Sequence, residues 1–307
     1  MDFTFHQLKV FLKVVEKTSV TRAAEELHLT QPAISIQLKK FQDQFEIPLF
    51  EVIGRKIFIT DFGHETAKAC QRIIWEVNEI KNHTLAYKGF LVGQLKLSVV
   101  STGKYVMPYF LSDFCSLHPQ VDLKMDVTNK SQVVQALEKN TVDFALVSVL
   151  PQNMKVDRIE LMQNKLFLTR KFTGDEIGVL KPQKSLKDVP LIYREEGSAT
   201  RQAMERFIAD QNVSKHKSIE LTSNEAVKQS VVAGLGYSVL PLIGLKNELT
   251  DKDIEIVPST GLPIITQWNL IWLQDKKLSP ISKAFLGYIQ ENKGEIISKN
   301  FSWYEKY

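Results

Sequence analysis

Gln31, Ser35, Lys39 and Lys40 lie in one short stretch and bring together an amide, a hydroxyl and two ammonium groups. Amides and hydroxyls read base edges by hydrogen bonding, and cations hold phosphates. At about 100° per residue, Pro32, Ser35, Ile36, Lys39 and Lys40 share one helix face, opposite an apolar stripe of Ile34, Leu38, Phe41 and Phe45. Ile36 is an apolar residue at the centre of the polar face, and in a major groove it suits a thymine methyl. Arg55 and Lys56 follow Gly54 in a turn between two β-rich runs, 47–52 and 57–60. That is a wing whose cations can touch backbone phosphate or a minor groove. A purely structural bundle with a solvated Lys39–Lys40 face has the same periodicity, so spacing leaves both readings open.

A second set of polar groups recurs just after apolar strand-like runs: Ser101 and Thr102, then Thr128, Asn129 and Ser131, then Ser148. The stretch Gly197, Ser198, Ala199, Thr200, Arg201 lies between a strand and a helix. Backbone N–H groups at a helix start, hydroxyls and a guanidinium together make an anion site. Each Ser or Thr taken singly also reads as an ordinary N-cap. The set carries more, because four loops contribute at similar topological positions.

Other chemistry is poorly supplied. The histidines at 6, 28, 64, 83, 118 and 216 show no HxxxH or HExxH spacing, and Cys70 and Cys115 are far apart. Neither a metal nor a disulfide framework is expected. There is no GxSxG and no GxxxxGK[ST] loop, so neither a nucleophile elbow nor a phosphate-cradling cofactor loop is present. No catalytic constellation emerges and no cofactor is expected.

These side chains need elements to hold them. Leu8, Phe11, Leu12 and Val15 mark a first helix, and Val20, Ala23, Ala24 and Leu27 a second with Ser19 as N-cap. Thr30 caps the third, where Pro32 suits the first turn. From 61 to about 89 the chain reads as one long helix. Cys70, Ile73, Val77, Ile80, Thr84 and Tyr87 follow a 3-4-3-4-3 spacing, a dimerisation seam of coiled-coil type. An amphipathic helix packed on its own domain gives the same spacing. Beyond Gly93, strands and helices alternate as in an α/β layer with a parallel sheet. The last helix is expected over 280–292.

The chain has 307 residues, 24% of them charged and 44% hydrophobic, which suits two or three globular domains. Residues 1–90 hold 12 Lys/Arg against 11 Asp/Glu and the rest 27 against 24, so nucleic acid would meet a local patch and not a general positive field. No apolar run approaches the roughly 18 residues of a membrane helix, and the expected location is the cytoplasm.

The stretch Thr21-Arg22-Ala23-Ala24-Glu25-Glu26-Leu27-His28-Leu29-Thr30-Gln31-Pro32-Ala33-Ile34-Ser35 resembles the winged helix-turn-helix of LysR-type transcriptional regulators. Leu49-Phe50-Glu51, Gly54-Arg55, Ile59-Thr60 and Gly63 fill the family's following motif positions. The resemblance implies double-stranded DNA as partner, with contacts at Gln31, Pro32, Ser35, Gln37 and Arg55. Many members carry arginine where this chain has Ile36, so a guanine contact common in the family is absent here. The resemblance also implies dimerisation through the linker helix, a dimer or tetramer, and RNA polymerase as a further partner. It organises the chain as a winged helix-turn-helix (1–60), a linker helix (61–90) and a two-lobed, periplasmic-binding-protein-like effector domain (91–307). Lobe I spans 91–162 and 266–307 and lobe II 163–265, with a small-molecule effector in the cleft between them. Tyr105-Val106-Met107-Pro108 and Arg194-Glu195-Glu196-Gly197-Ser198-Ala199-Thr200-Arg201 look like the subgroup that includes Calvin-cycle operon regulators, which implies an anionic metabolite. The competing expectation is a solute-binding module whose N-terminal bundle serves assembly only. It differs in predicting no salt-dependent DNA affinity.

Overall fold

The computed structural model describes residues 2–54, 56–86, 91–174, 186–211, 213 and 216–307, with the backbone alone at 75, 78–79 and 81–86. The expectations placed on Arg55 and Tyr87, and on the Thr84 side chain, therefore lie outside the described residues. The chain divides into two compact units, Met1–Gly89 and Phe90–Tyr307.

In the first unit, helices α1 (Phe5–Lys17), α2 (Val20–Leu27) and α3 (Gln31–Gln42) precede a hairpin of β1 (Phe50–Ile53) and β2 (Lys56–Ile59), then α4 (Asp61–Ala86). The caps explain the boundaries. Thr4 and Gln7 form a reciprocal capping box on α1. Ser19 accepts from the Arg22 N–H at 3.3 Å and Thr30 from Ala33 N–H at 3.4 Å. Thr18 and His28 close α1 and α2 in the left-handed region. Ile34, Leu38 and Phe41 of α3 are buried with Leu8, Phe11, Val14 and Ala23. Phe45, on the same stripe, is half-buried and meets Phe41 edge-on at 5.1 Å.

One expectation for α4 is corrected. Cys70 is buried in its own unit, in the same core as Phe11, Leu49 and Ala67. It is core, not seam. Ile73 and Ile80, at 41% and 67% exposure, remain outside.

In the second unit, β3 (Gly93–Val100), α5 (Met107–Leu117), β4 (Val121–Thr128), α6 (Lys130–Glu138) and β5 (Phe144–Val147) build lobe I. A long β6 (Val156–Lys171) leads to lobe II: β7 (Leu191–Arg194), α7 (Ala199–Asp210), β8 (Ser218–Leu221), α8 (Asn224–Val232), β9 (Ser238–Pro241), α9 (Lys246–Thr250) and β10 (Ile254–Ile256). Then β11 (Ile264–Leu273) returns to lobe I, where α10 (Pro280–Phe301) completes the core. Strand order is β10-β6-β11-β5-β3-β4, with β9 also on β6. Only β3, β4 and β5 run parallel in this sheet; β6, β9, β10 and β11 pair antiparallel. The expected parallel sheet is thus a mixed one, because the two strands that cross between lobes run in opposite senses.

Strand alternation divides lobe II. Leu191 and Tyr193 of β7 pack with Met204, Phe207 and Ile208, while Ile192 packs with Val227, Val231 and Leu240. Along β6 and β11, Gln163 pairs with Gln267 but Glu160 with Asn269, so β6 carries one extra residue opposite the fully buried Trp268. The final helix runs nine residues past the expected end and then tightens into a 3-10 turn over Ser302–Lys306. Tyr304 is buried there, and its hydroxyl accepts from the Lys165 N–H of β6 at 2.7 Å.

Candidate functional site

The outward face of α3 carries the predicted groups in water. Gln31, Pro32, Ser35, Ile36, Lys39 and Lys40 are exposed, Thr30 caps the helix, and Gln37 is half-buried. Among the described residues, neither Lys39 nor Lys40 has a carboxylate within 4.0 Å. Both ammonium groups are therefore free for phosphate. By contrast Lys13 and Lys17 on α1 pair with Glu16 and with Glu26 of α2, which spends their charge inside the unit. The wing is fixed to α3 by side chains. Gln42 Oε1 accepts from Leu49 N–H at 2.6 Å, and the Thr60 hydroxyl donates to Pro48 O at 2.6 Å. At the tip, Gly54 has φ +57° and starts the turn into exposed Lys56.

In the second unit, the strand ends of lobe I face the loops of lobe II. Ser101 is the hub. Its Oγ accepts from Arg194 Nη1 at 3.0 Å and from Asn224 Nδ2 at 2.8 Å. The Arg194 side chain is 3% exposed and its Nε and Nη2 each donate to Glu195 at 2.7 Å. Asn224 Oδ1 is buried without a partner. Beside the hub, a Cβ added at Gly197 (φ +82°) would lie 2.7 Å from Ser131 Oγ and 3.8 Å from Asn129 Oδ1. Glycine is required there by both conformation and space. Tyr105 adds a third cross-lobe contact, its hydroxyl donating to Glu225 Oε2 at 3.2 Å. Burial pushes that phenol up to about 12, so it remains a donor.

A LysR substrate binding domain model matches residues 88–294, and the model for the bacterial regulatory helix-turn-helix protein of the lysR family matches residues 5–64. The chain belongs to the LysR family of transcriptional regulators. The chain is 36% identical over 293 residues to a RuBisCO operon transcriptional regulator of Allochromatium vinosum, covering 94% of this chain and 96% of that one. Among solved structures, it resembles the CcmR regulatory domain of Synechocystis PCC6803 in complex with 2-PG. That match has 30% identity and a TM-score of 0.59 and covers 66% of this chain and 97% of that one. Full-length CbnR complexed with its target DNA has the same fold, with TM-score 0.63 at 20% identity over 94% of this chain and 99% of that one.

As LysR-type regulators bind DNA and small-molecule effectors through these two parts, each predicted group can be placed. Ser101 joins a cross-lobe cluster, and Gly197, Asn129 and Ser131 come together. Asn129 Oδ1 also accepts from Gln132 N–H at 3.1 Å as the N-cap of α6, and the Thr128 hydroxyl is engaged by Gln132. Thr102 and Ser198 are buried, whereas Ser148 and Thr200 are half-buried. Arg201 is not in the hub. Its guanidinium is held by Glu205 at 2.7 Å, Glu220 at 2.5 Å and the Arg194 carbonyl at 2.9 Å. Its Nε and Nη1 donors are thus taken up by three acceptors within lobe II. Sequence reasoning missed Arg194 and Asn224. The available signals were an arginine closing a wholly apolar strand and an asparagine opening a helix that Ser223 already caps. Among the described residues no cluster of His, Cys, Asp or Glu could hold a metal, and no helix is long and apolar enough to cross a membrane.

Proposed function

We propose that this LysR-type regulator works in the cytoplasm as a homodimer or a dimer of dimers, joined through the exposed Ile73–Ile80 side of α4. The α3 helices enter successive major grooves of a pseudo-palindromic operator, and the wing reaches the flanking groove. A small anionic metabolite enters the cleft of a periplasmic-binding-protein-like pair of lobes, near Ser101, Thr102, Thr128, Ser131, Ser148 and the Gly197–Thr200 loop. Its binding shifts the population of two lobe arrangements and with it operator bending and access by RNA polymerase. The division at 1–60, 61–90 and 91–307, with lobes exchanging near 162 and 265, is part of this reading. The relatives' role on a RuBisCO operon supports a target of the same kind.

The observation that carries the DNA half is the exposed α3 face with two lysines that, among the described residues, no carboxylate neutralises. The test is a fluorescence-anisotropy titration on DNA just upstream of the protein's own start codon, at two salt concentrations. Binding is expected to fall steeply with salt and to weaken in Ser35→Ala and Arg55→Ala. Lys39→Ala should weaken all sequences alike and lower the salt slope by about 1 per subunit. A folded dimer that binds no duplex in a genome-derived pool better than a scrambled one would sink this reading in favour of the solute-binding module.

A further inference from the structure

After α10 comes an aromatic segment, Trp303, Tyr304 and Tyr307, that neither DNA binding nor the cleft uses. It continues a lobe I helix, yet it reaches lobe II at two places. The Tyr304 hydroxyl accepts from the Lys165 N–H of β6 at 2.7 Å. The Lys165 ammonium donates in turn to the main-chain oxygens of Tyr304 at 3.4 Å and Tyr307 at 2.6 Å. Lys246, which opens α9, holds its ammonium 5.7 Å over the Trp303 ring. The β6–β9 ladder ends at the Leu166–Pro241 pair, so the Lys165 N–H lies one residue beyond it, and a phenol receives it instead of a strand. On the lobe I side of the crossing, Lys293 of α10 donates to the Glu160 carbonyl at 3.0 Å. The extra residue of β6 lies between these two anchors, Glu160 and Lys165. Successive residues of a strand face opposite ways. Asn164 meets Thr266 at 3.0 Å, and Thr266 and Ile264 line a cavity beside α7. Lys165 and its partner Ile265 therefore point away from that cavity, and the aromatic segment lies behind the crossing strands.

We propose that Trp303–Tyr307 is a brace across the hinge, and that Tyr304 and Lys165 are positioning residues that set the angle at which β6 and β11 carry lobe II. A bulge interrupts a ladder and is where a strand bends most easily. Here the strand is tied on both sides of its bulge to one helix and the turn that follows it. Phe301 and Tyr304 are fixed in the lobe I core, so a bend at the bulge stretches contacts whose far ends do not move. Burial pushes the Tyr304 phenol up to about 12, so the hydroxyl stays neutral at physiological pH and the brace does not depend on its titration. Undocking the segment frees the bulge to bend. The brace concerns the back of the hinge alone and does not depend on what occupies the cleft.

The test measures the distance between the lobes in the full chain by double electron–electron resonance. Spin labels are placed at Lys139→Cys of lobe I and Asp251→Cys of lobe II, both exposed, in a Cys115→Ser background that leaves only the buried Cys70. Labelled chains are diluted in unlabelled ones, so that pairs within one chain are read. Tyr304→Phe removes the acceptor hydroxyl and keeps the ring, and Lys165→Met removes the ammonium and keeps the stem. Both are expected to broaden the distance distribution. Tyr304→Phe should also speed amide exchange in peptides spanning 160–168 by about tenfold, as loss of one hydrogen bond does. Lys165→Arg keeps a cationic donor and should retain the narrow distribution. Tyr288→Phe, which strips a hydroxyl from an α10 ring packed on Phe114, should change neither reading. A lowered melting temperature with an unchanged distance distribution in both Tyr304→Phe and Lys165→Met would make the segment core packing only and overturn the inference. Should Tyr304→Phe fail to fold, the distribution in Lys165→Met decides it alone.

Discussion

Ile36 is 55% exposed on the face it shares with Pro32, Ser35, Lys39 and Lys40. Water gives no reason for an isoleucine there, and a thymine methyl does, since thymine is the base that presents a methyl group in the major groove. Ile36→Ala is expected to weaken operator binding by about 1 kcal/mol, the worth of roughly 40 Å² of apolar surface at 25 cal/mol/Å². It should also flatten the preference for thymine over cytosine at one position per half-site, read by anisotropy on duplexes substituted base by base. An equal loss on every duplex would mean that Ile36 packs on the sugar-phosphate backbone. The lysines beside it were legible because charge on a helix face survives folding unchanged. Arg194 was not legible. Its function comes from Ser101, 93 residues away in sequence, and no local pattern encodes that meeting.

Elements with their own capping or periodicity could be read from sequence. Thr30, Ser19 and Pro32 mark boundaries that the structure keeps, because caps act within one turn. The strands β8 and β10 went unread. Each has four residues or fewer, and they are strands only because β7 and β6 run beside them. Most of β6 escaped for a related reason: it changes lobes midway, so no single alternation of buried and exposed residues runs through it. Gly63 shows how a motif position acts through an element. A Cβ there would stand 2.0 Å from the Leu49 carbonyl oxygen, the same oxygen that accepts from Thr60 N–H at 3.1 Å. Gly63→Ala is expected to destabilise the first unit by about 1–3 kcal/mol, seen as a lower urea midpoint, with DNA binding lost in step. Unchanged stability would show that the wing can shift to admit the methyl. On α4, with Cys70 in the core, the proposed subunit contact falls to the exposed Ile73 and Ile80. In the proposed dimer, Ile80→Glu should yield a monomer in analytical ultracentrifugation, with a thermal midpoint that no longer depends on protein concentration. A persistent dimer would place the subunit contact elsewhere.

On the scale of the whole molecule, lobe II is an insertion within lobe I. The chain leaves through β6 and returns through β11, and the lobe I core needs Trp268, Leu270, Phe285 and Ile289 from the far side of that excursion. These residues lie more than a hundred positions after Phe144, which shares their core and meets the Phe285 ring at 5.7 Å. The consequence falls on the nascent chain. At about 5–20 residues per second, the ribosome exposes β3, β5 and their apolar faces for a time on the order of ten seconds before β11 and α10 emerge to close them. Lobe II, whose last strand of its own ends at Ile256, emerges nearly whole in that interval while lobe I waits with an open sheet edge. A chaperone that shields such an edge would find its substrate in the half-made lobe I, and this dependence would be invisible in the finished protein.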